Sequence, residues 1–118
     1  MAFKFERLKV WQKALMLSDM INQVVKCFPA DERYVLTSQI KRAADSVSLN
    51  IAEGSTGQTN REQKKFIGYS IRSDVEVVGC LYLARSRGYI QQEDFEKIYK
   101  LCEELLVMLN GFRDSLKD

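Results

Sequence analysis

One stretch, residues 39 to 54 (QIKRAADSVSLNIAEG), limits the possible folds more than any other part of the chain. Apolar side chains recur there at steps of three and four residues, which places them on one face of an α-helix. That face comprises Leu36, Ile40, Ala43, Val47 and Ile51. The opposite face comprises Arg42, Ser46, Leu49 and Glu53. Gly54 is predicted to end the helix, because glycine enters the left-handed conformation without a Cβ penalty.

Helical spacing extends over most of the chain and predicts an all-α protein. Pro29 should end the first helix, because proline cannot continue it, and Asp31 is a suitable N-cap for the second. Gly88 should end the third helix in a Schellman turn. The four predicted helices run from about Leu8 to Cys27, from near Asp31 to Glu53, from Thr59 to Arg87, and from about Gln92 to Lys117. Short connections make neighbours antiparallel, so we expect one domain, residues 1–118, folded as an up-down-up-down four-helix bundle.

The composition excludes several classes of enzyme. Apolar residues make up 46% of the chain and charged residues 29%, which is typical of a globular domain. Histidine is absent. Catalysis by Ser-His-Asp or Cys-His groups, zinc sites with imidazole ligands and the Glu-x-x-His di-iron motif therefore cannot be built. No second carboxylate is spaced to pair with Glu53 for acid-base chemistry, so we expect neither catalysis nor a metal or cofactor.

The cysteines and the N-terminus indicate a cytosolic protein. Cys27, Cys80 and Cys102 are odd in number and far apart, and each lies among apolar residues, which predicts buried reduced thiols. The opening MAFKFERLKV lacks the apolar segment of a signal peptide, and no run approaches the ~18 apolar residues of a membrane span.

The segment from Arg42 to Gly54 also carries a resemblance to a known family. Its pattern R-A-A-x-S-V-x-x-N-I-A-E-G resembles the signature of bacterial four-helix-bundle proteins encoded in intervening sequences of 23S ribosomal RNA genes. That family in turn resembles the accessory proteins of diversity-generating retroelements. The resemblance extends to FERLKVWQKALML at the start, to Phe28-Pro29 with Glu32, and to Ser73 with Glu76, where Arg72 replaces the glycine of a G-S-x-x-E motif. It implies an all-helical bundle, a ring-like homo-oligomer with a pentamer favoured, a connection to nucleic acid, and no known catalysis.

The second half of the third helix predicts a covering surface beyond the chain's own bundle. Val75, Tyr82 and their apolar neighbours point in nearly all directions around the helix, and a helix that is apolar all round is normally buried all round. The simplest cover is another subunit. Gly68 and Gly79 fall within about 20° of each other on the helix and would let a partner backbone approach closely.

Basic residues are concentrated in the first three helices. Residues 1–90 carry a surplus of five positive charges, whereas residues 91–118 carry a deficit of three. The candidate nucleic-acid-binding residues are Lys41, Arg61, Lys64, Lys65 and Arg72. Such a patch can neutralise phosphates and release counterions, although a solvated helix face has the same composition and the pI of 8.4 is modest.

Polar residues of the second helix have two interpretations. Arg42 and Glu53 fall on almost the same side of the helix but about 16 Å apart along it, so each needs another partner or water. We expect half-buried interface positions rather than simple exposure. Asn50 lies at the edge of the apolar face, where a polar side chain more often fixes register than binds a ligand.

The sequence therefore predicts a non-enzymatic, self-associating bundle with nucleic acid, RNA or DNA, as its leading partner. The first alternative is a scaffold or adaptor that binds a protein partner and makes no nucleic-acid contact. Trp11 and the tyrosines at positions 34, 69, 82, 89 and 99 could stack on bases, but aromatic residues in such a bundle more often pack in the core or between subunits.

Overall fold

The computed structural model describes residues 2–57 and 59–117, which form four α-helices in an up-down-up-down bundle. The helices are α1 (Lys9–Val24), α2 (Leu36–Gly54), α3 (Asn60–Ser86) and α4 (Gln92–Ser115). Three short 3₁₀ turns lie at Lys4–Arg7, Val25–Cys27 and Ala30–Glu32. Helices α1 and α3 each pack against both α2 and α4. The predicted all-α four-helix bundle is confirmed.

The apolar face predicted for α2 lies at the centre of the hydrophobic core. All five of its members are buried, and Ile40 and Val47 expose none of their surface. Each of the other helices contributes its own apolar stripe, as the three- and four-residue spacing requires. The most deeply buried large side chains on them are Leu17, Ile21, Ile67, Val77, Leu81, Ile98, Leu105 and Leu109.

Gly54 has a different role from the one predicted. It is the last residue of α2 and does not adopt a positive φ angle; among the described residues only Gly57 and Gly88 do so. A Cβ atom on Gly54 would lie 2.8 Å from the Cβ of Phe66, closer than carbon atoms can pack. The residue must be glycine because α2 and α3 approach each other closely there. Gly88, with φ +76°, does end α3 as predicted, and the Tyr89 N–H donates to the Ala84 carbonyl.

The start of α2 lies five residues later than predicted. Asp31 belongs to a 3₁₀ turn, and the α-helix begins at Leu36. The carboxylate of Glu32 takes the place of an N-cap, because its Oε1 accepts from the Leu36 N–H at 3.4 Å. Its Oε2 accepts from the Tyr89 hydroxyl at 2.8 Å and from Arg87 at 3.2 Å, which joins the α1–α2 link to the α3–α4 loop. The Tyr89 hydrogen bond is the main reason that the pKa of Glu32 is lowered.

The other boundaries agree with prediction to within three residues. The Thr59 side chain caps α3 by accepting from the Glu62 N–H at 3.0 Å. The cysteine prediction is confirmed for Cys80 and Cys102, which are buried free thiols, but Cys27 is exposed. Cys27 lies in the 3₁₀ turn after α1, where the helical periodicity that would turn it inward has ended.

Candidate nucleic-acid interface

One solvent-facing stripe runs the length of α3. Its members fall within about 100° of arc around the helix axis. In chain order they are Arg61, Lys65, Gly68, Arg72, Val75, Gly79, Tyr82 and Leu83. All are exposed except Gly68, which is half-buried. The first half of this outer stripe is basic, whereas the second half is apolar.

The apolar half is uncovered in the single chain. Val77, Cys80, Leu81 and Ala84 turn inward and are buried. Val75, Tyr82 and Leu83 remain 57%, 47% and 43% exposed. The chain therefore supplies a cover for only one side of this segment.

The two glycines of the stripe are not required by contacts within the chain. A Cβ atom added at Gly68 or at Gly79 would meet no described atom within 4 Å, and neither residue adopts a positive φ angle. A glycine inside a helix costs about 1 kcal/mol relative to alanine. At neither position does a packing contact among the described residues explain why a glycine is present.

The predicted basic residues do not all lie together. Arg61, Lys65 and Arg72 share the outer stripe, and Lys65 also forms an ion pair with Glu62 at 3.7 Å. Lys64 is half-buried and interacts with another group, so it is not the freely solvated residue that the sequence predicts. Lys41 is exposed but is turned about 140° around α2 from Ser46, which contacts α3. Lys41 therefore lies outside the patch.

A polar groove separates α2 from α3 on the outer side of the bundle. It consists of two adjoining cavities of about 470 and 300 Å³, which share Ser46, Ser73 and Glu76. The remaining lining residues are Gln39, Arg42, Ala43, Asn50, Tyr69 and Arg72. We call this feature the α2–α3 groove.

The floor of the α2–α3 groove is held by hydrogen bonds. Ser73 Oγ donates to Ser46 Oγ at 3.0 Å, which joins the two helices. Asn50 Nδ2 donates to the Ser46 carbonyl at 2.8 Å and to Ser46 Oγ at 2.9 Å. Beneath them, the buried Ser70 hydroxyl donates to the Val47 carbonyl at 2.9 Å. Asn50 thus orients Ser46, and the serine pair makes the contact between helices that the sequence analysis assigned to Asn50.

The charged side chains around the groove are unevenly paired. Among the described residues, neither Arg42 nor Arg72 makes a hydrogen bond or an ion pair. Glu76 accepts one weak hydrogen bond, from Gln39 Nε2 at 3.4 Å. Glu53, at the far end of the same side of α2, is exposed and has no partner in the described chain. The two arginines are therefore available to an anionic ligand.

Asp74 is a buried acid that the sequence analysis did not identify. It is only 2% exposed, and its Oδ1 atom has no hydrogen-bond partner among the described residues. Burial raises its pKa to about 7, and a hydrogen bond with the Cys102 thiol acts in the opposite direction. Periodicity could have found this residue, because Asp74 is three residues before the buried Val77 and four after the buried Ser70.

The groove itself was also missed, although its two walls were visible separately. Arg42, Ser46 and Asn50 are four residues apart and share one side of α2, as Tyr69, Ser73 and Glu76 share nearly one side of α3. Predicting that these two sides face each other requires the relative position of α2 and α3, which the close contact between Gly54 and Phe66 sets.

The described residues form neither a metal-binding cluster nor a membrane-spanning helix. No group of three or more cysteine, aspartate or glutamate side chains among residues 2–57 and 59–117 is arranged to hold a metal ion. None of the helices in the same residues is long and apolar enough to cross a membrane.

The fold is that of a four-helix-bundle protein. Residues 6–111 match the family model described as the 23S rRNA-intervening sequence protein. The chain belongs to that family.

Solved structures agree on the fold. One is the crystal structure of a protein of unknown function from the S23 ribosomal protein family of Bacteroides thetaiotaomicron. The two chains are 23% identical, the comparison covers 90% of this chain and 99% of the other, and the TM-score is 0.81. No curated protein matches the sequence.

Proposed function

We propose that the protein is a non-enzymatic, self-associating bundle of the bacterial cytoplasm that binds RNA or DNA through a basic surface. One observation carries this proposal: the outer stripe of α3 is basic over one half and apolar over the other. The basic half can bind phosphates, and the apolar half can bind a second subunit. The missing histidines, and the lack of a second carboxylate spaced to pair with Glu53, argue against catalysis.

Binding through the basic half should depend on salt and only weakly on sequence. Arg61, Lys65 and Arg72 project from one side of α3, and Arg42 and Arg72 line the two adjoining cavities of the α2–α3 groove. Contacts to phosphates position a protein without reading bases, and they release counterions.

Fluorescence anisotropy on RNA and DNA oligonucleotides, from low to physiological salt, tests nucleic-acid binding. Replacing Arg61 and Lys65 together with glutamine should weaken binding to every sequence. The slope of log affinity against log salt should fall by about 0.9 per lost phosphate contact on duplex DNA, or ~0.7 on single strands. Lys41→Gln with Arg33→Gln is the matched control, because it removes two exposed charges outside the patch. Absence of binding by the wild-type protein at low salt would refute this part of the proposal.

Self-association is supported by the exposed Val75, Tyr82 and Leu83 and by the two open glycines beside them. Burying that surface between subunits would supply the cover that the single chain lacks. Light scattering should give several times the 13.7 kDa monomer mass, and the resemblance described above favours a ring of five. A clean monomer at micromolar concentration would contradict the proposal.

The alternative, a scaffold or adaptor for a protein partner, is favoured by a second uncovered surface. Leu49 is 61% exposed on α2, and Val35, which is also 61% exposed, lies immediately before the helix begins at Leu36. Exposed apolar side chains of this kind can pack against a protein partner. Tight binding of a protein by the purified bundle, with no retention of nucleic acid, would favour this function.

A further inference from the structure

We propose that the α2–α3 groove binds one nucleotide of a single strand, with its phosphate between Arg42 and Arg72 and its base against Tyr69. This inference rests on the proposed nucleic-acid binding and specifies its site. The proposed function requires only a basic surface, whereas a nucleotide site requires donors, an aromatic face and a cavity of suitable size together. The groove brings these three together.

The phosphate position follows from the two unpaired guanidinium groups. Arg42 lines the smaller cavity and Arg72 the larger, so the two side chains flank the shared floor from opposite helices. Guanidinium groups match the geometry of phosphate oxygens and bind them with two hydrogen bonds at once. An anion between them would satisfy both groups, which have no other partner in the described chain.

The floor supplies a further donor. Ser46 and Ser73 have two hydroxyl protons between them, and one of these is used in the hydrogen bond that joins them. Asn50 donates to Ser46 Oγ and so adds no acceptor for the second proton. That proton is available to a phosphate oxygen above the serine pair.

Tyr69 supplies the aromatic surface. It is 39% exposed, lines the larger cavity and lies three residues before Arg72 on α3. The Phe66 ring meets it edge to face, with the ring centroids 5.7 Å apart and the planes at 86°. A base can stack on a ring of this kind only when it is unpaired and turned out of a helix.

Glu76 makes the groove selective for a single strand. Its carboxylate lies in the same groove and is shared by both cavities. Because Glu76 lies beside the bound phosphate as well, the two guanidinium groups and this one carboxylate leave one net positive charge in the groove, which suits one phosphate but not the closely spaced phosphates of a duplex. A single strand can place one phosphate with its unpaired base there, because the rest of the flexible strand can turn away.

The test compares a fluorescent 12-nucleotide RNA, the DNA of the same sequence, and the corresponding duplexes. Wild-type protein should bind the single strands more tightly than the duplexes at equal salt. Tyr69→Ala should weaken single-strand binding by roughly five- to 150-fold, the range for losing one stacked base. Tyr34→Ala, which removes a tyrosine that is 85% exposed outside the groove, is its control.

Two charge variants complete the test. Arg42→Gln should weaken single-strand binding more than Arg33→Gln, which removes an exposed arginine outside the groove. Glu76→Gln should raise the affinity for duplexes more than Glu53→Gln does. The ratio of single-strand affinity to duplex affinity should therefore become smaller in Glu76→Gln. Melting curves for each variant establish that the fold is retained.

The outcomes separate the groove from the wider proposal. If the wild-type protein binds but the groove variants match their controls, while Arg61→Gln with Lys65→Gln weakens binding, the nucleotide site is refuted and the basic surface stands. Equal affinity for single strands and duplexes refutes the site as well. If the wild-type protein binds no oligonucleotide at low salt, both proposals fail together.

Discussion

The two halves of the outer stripe on α3 occupy equivalent positions on one helix, yet they differ in chemistry. In the first half, Arg61, Lys65 and Arg72 extend long charged side chains into solvent. In the second half, Val75, Tyr82 and Leu83 expose apolar surface. The inner side of α3 is buried from Gln63 to Ala84, although Gln63, Ser70 and Asp74 are polar and the buried residues from Val77 onward are apolar.

This difference separates what a helix needs to fold from what it presents to a partner. The inner side supplies the contacts that the bundle needs, because its residues pack into the core whatever the outer side carries. Charged side chains need no cover, since water solvates them. Exposed apolar side chains gain free energy from a cover, at about 25 cal/mol for each Å² removed from water. The change in chemistry along the outer side therefore predicts two different partners for one helix.

The largest expected effect concerns Asp74, which lies on the inner side of α3 where the basic half meets the apolar half. The folded protein holds a proton on Asp74 up to about pH 7, whereas the unfolded chain releases it near pH 4. Between these values the folded state binds more protons, so the free energy of unfolding should fall as pH rises, by an amount on the order of 4 kcal/mol.

Asp74→Asn should remove most of this pH dependence and stabilise the protein at pH 8. Denaturant unfolding from pH 4 to pH 8 measures it, with Asp45→Asn, an exposed position on α2, as the control. A wild-type stability that stays constant or increases over this range would show that Asp74 is ionised in the fold.

The second effect tests the apolar half directly. Val75→Asp should weaken self-association by roughly tenfold or more, because a carboxylate would be buried in an apolar contact. Lys65→Asp places the same charge in the basic half and should leave the assembly mass unchanged. Light scattering over a dilution series decides between them. Equal dissociation by both variants would show that the stripe does not divide as proposed.

A smaller effect is expected at Gly79. Alanine there should stabilise the separated chain by up to about 1 kcal/mol, because it restores helix propensity and meets no described atom within 4 Å. The same change should weaken self-association by blocking close approach. Gly111→Ala, at an exposed and equally open position in α4, should stabilise the single chain without weakening self-association. Unfolding curves combined with sedimentation distinguish the two glycines, and identical behaviour would remove Gly79 from the contact.

The smallest effect is expected for Arg42→Ala. This side chain is exposed and unpaired, so its loss should change the free energy of unfolding of the chain by less than ~1 kcal/mol. Thermal melting at low and high protein concentration measures it. A loss of ~3 kcal/mol confined to high concentration would place Arg42 in a buried pair between subunits and extend the contact surface beyond α3.

The sequence predicts those features of the fold that depend on periodicity alone. The buried face of α2 follows from three- and four-residue spacing, and all five of its members are buried. The later start of α2 was not predictable from local signals, because the Glu32 carboxylate that caps it is fixed by Tyr89, a residue 57 positions away. Gly54 was identified correctly as important but for the wrong reason, since the crowding by Phe66 exists only when α3 is in place.

The candidate site was only partly predictable for the same reason. Spacing along α3 placed Arg61, Lys65 and Arg72 together, and the structure does so too. Lys41 lies about 140° around α2 from the residue that contacts α3, and Lys64 is half-buried and interacts with another group. Both features depend on how the helices face one another, and the spacing of residues along the sequence does not give that arrangement.

The contact of Glu32 with Arg87 and Tyr89 has a consequence for the order of folding. It joins two helical hairpins, α1 with α2 and α3 with α4, across 55 and 57 residues of sequence. Each hairpin can form from local contacts, but these hydrogen bonds can form only once the two hairpins have docked at the end where both links lie. Interactions completed after the rate-limiting step slow unfolding and leave the folding rate nearly unchanged. Glu32 should therefore govern how long the docked bundle persists rather than how quickly it is reached.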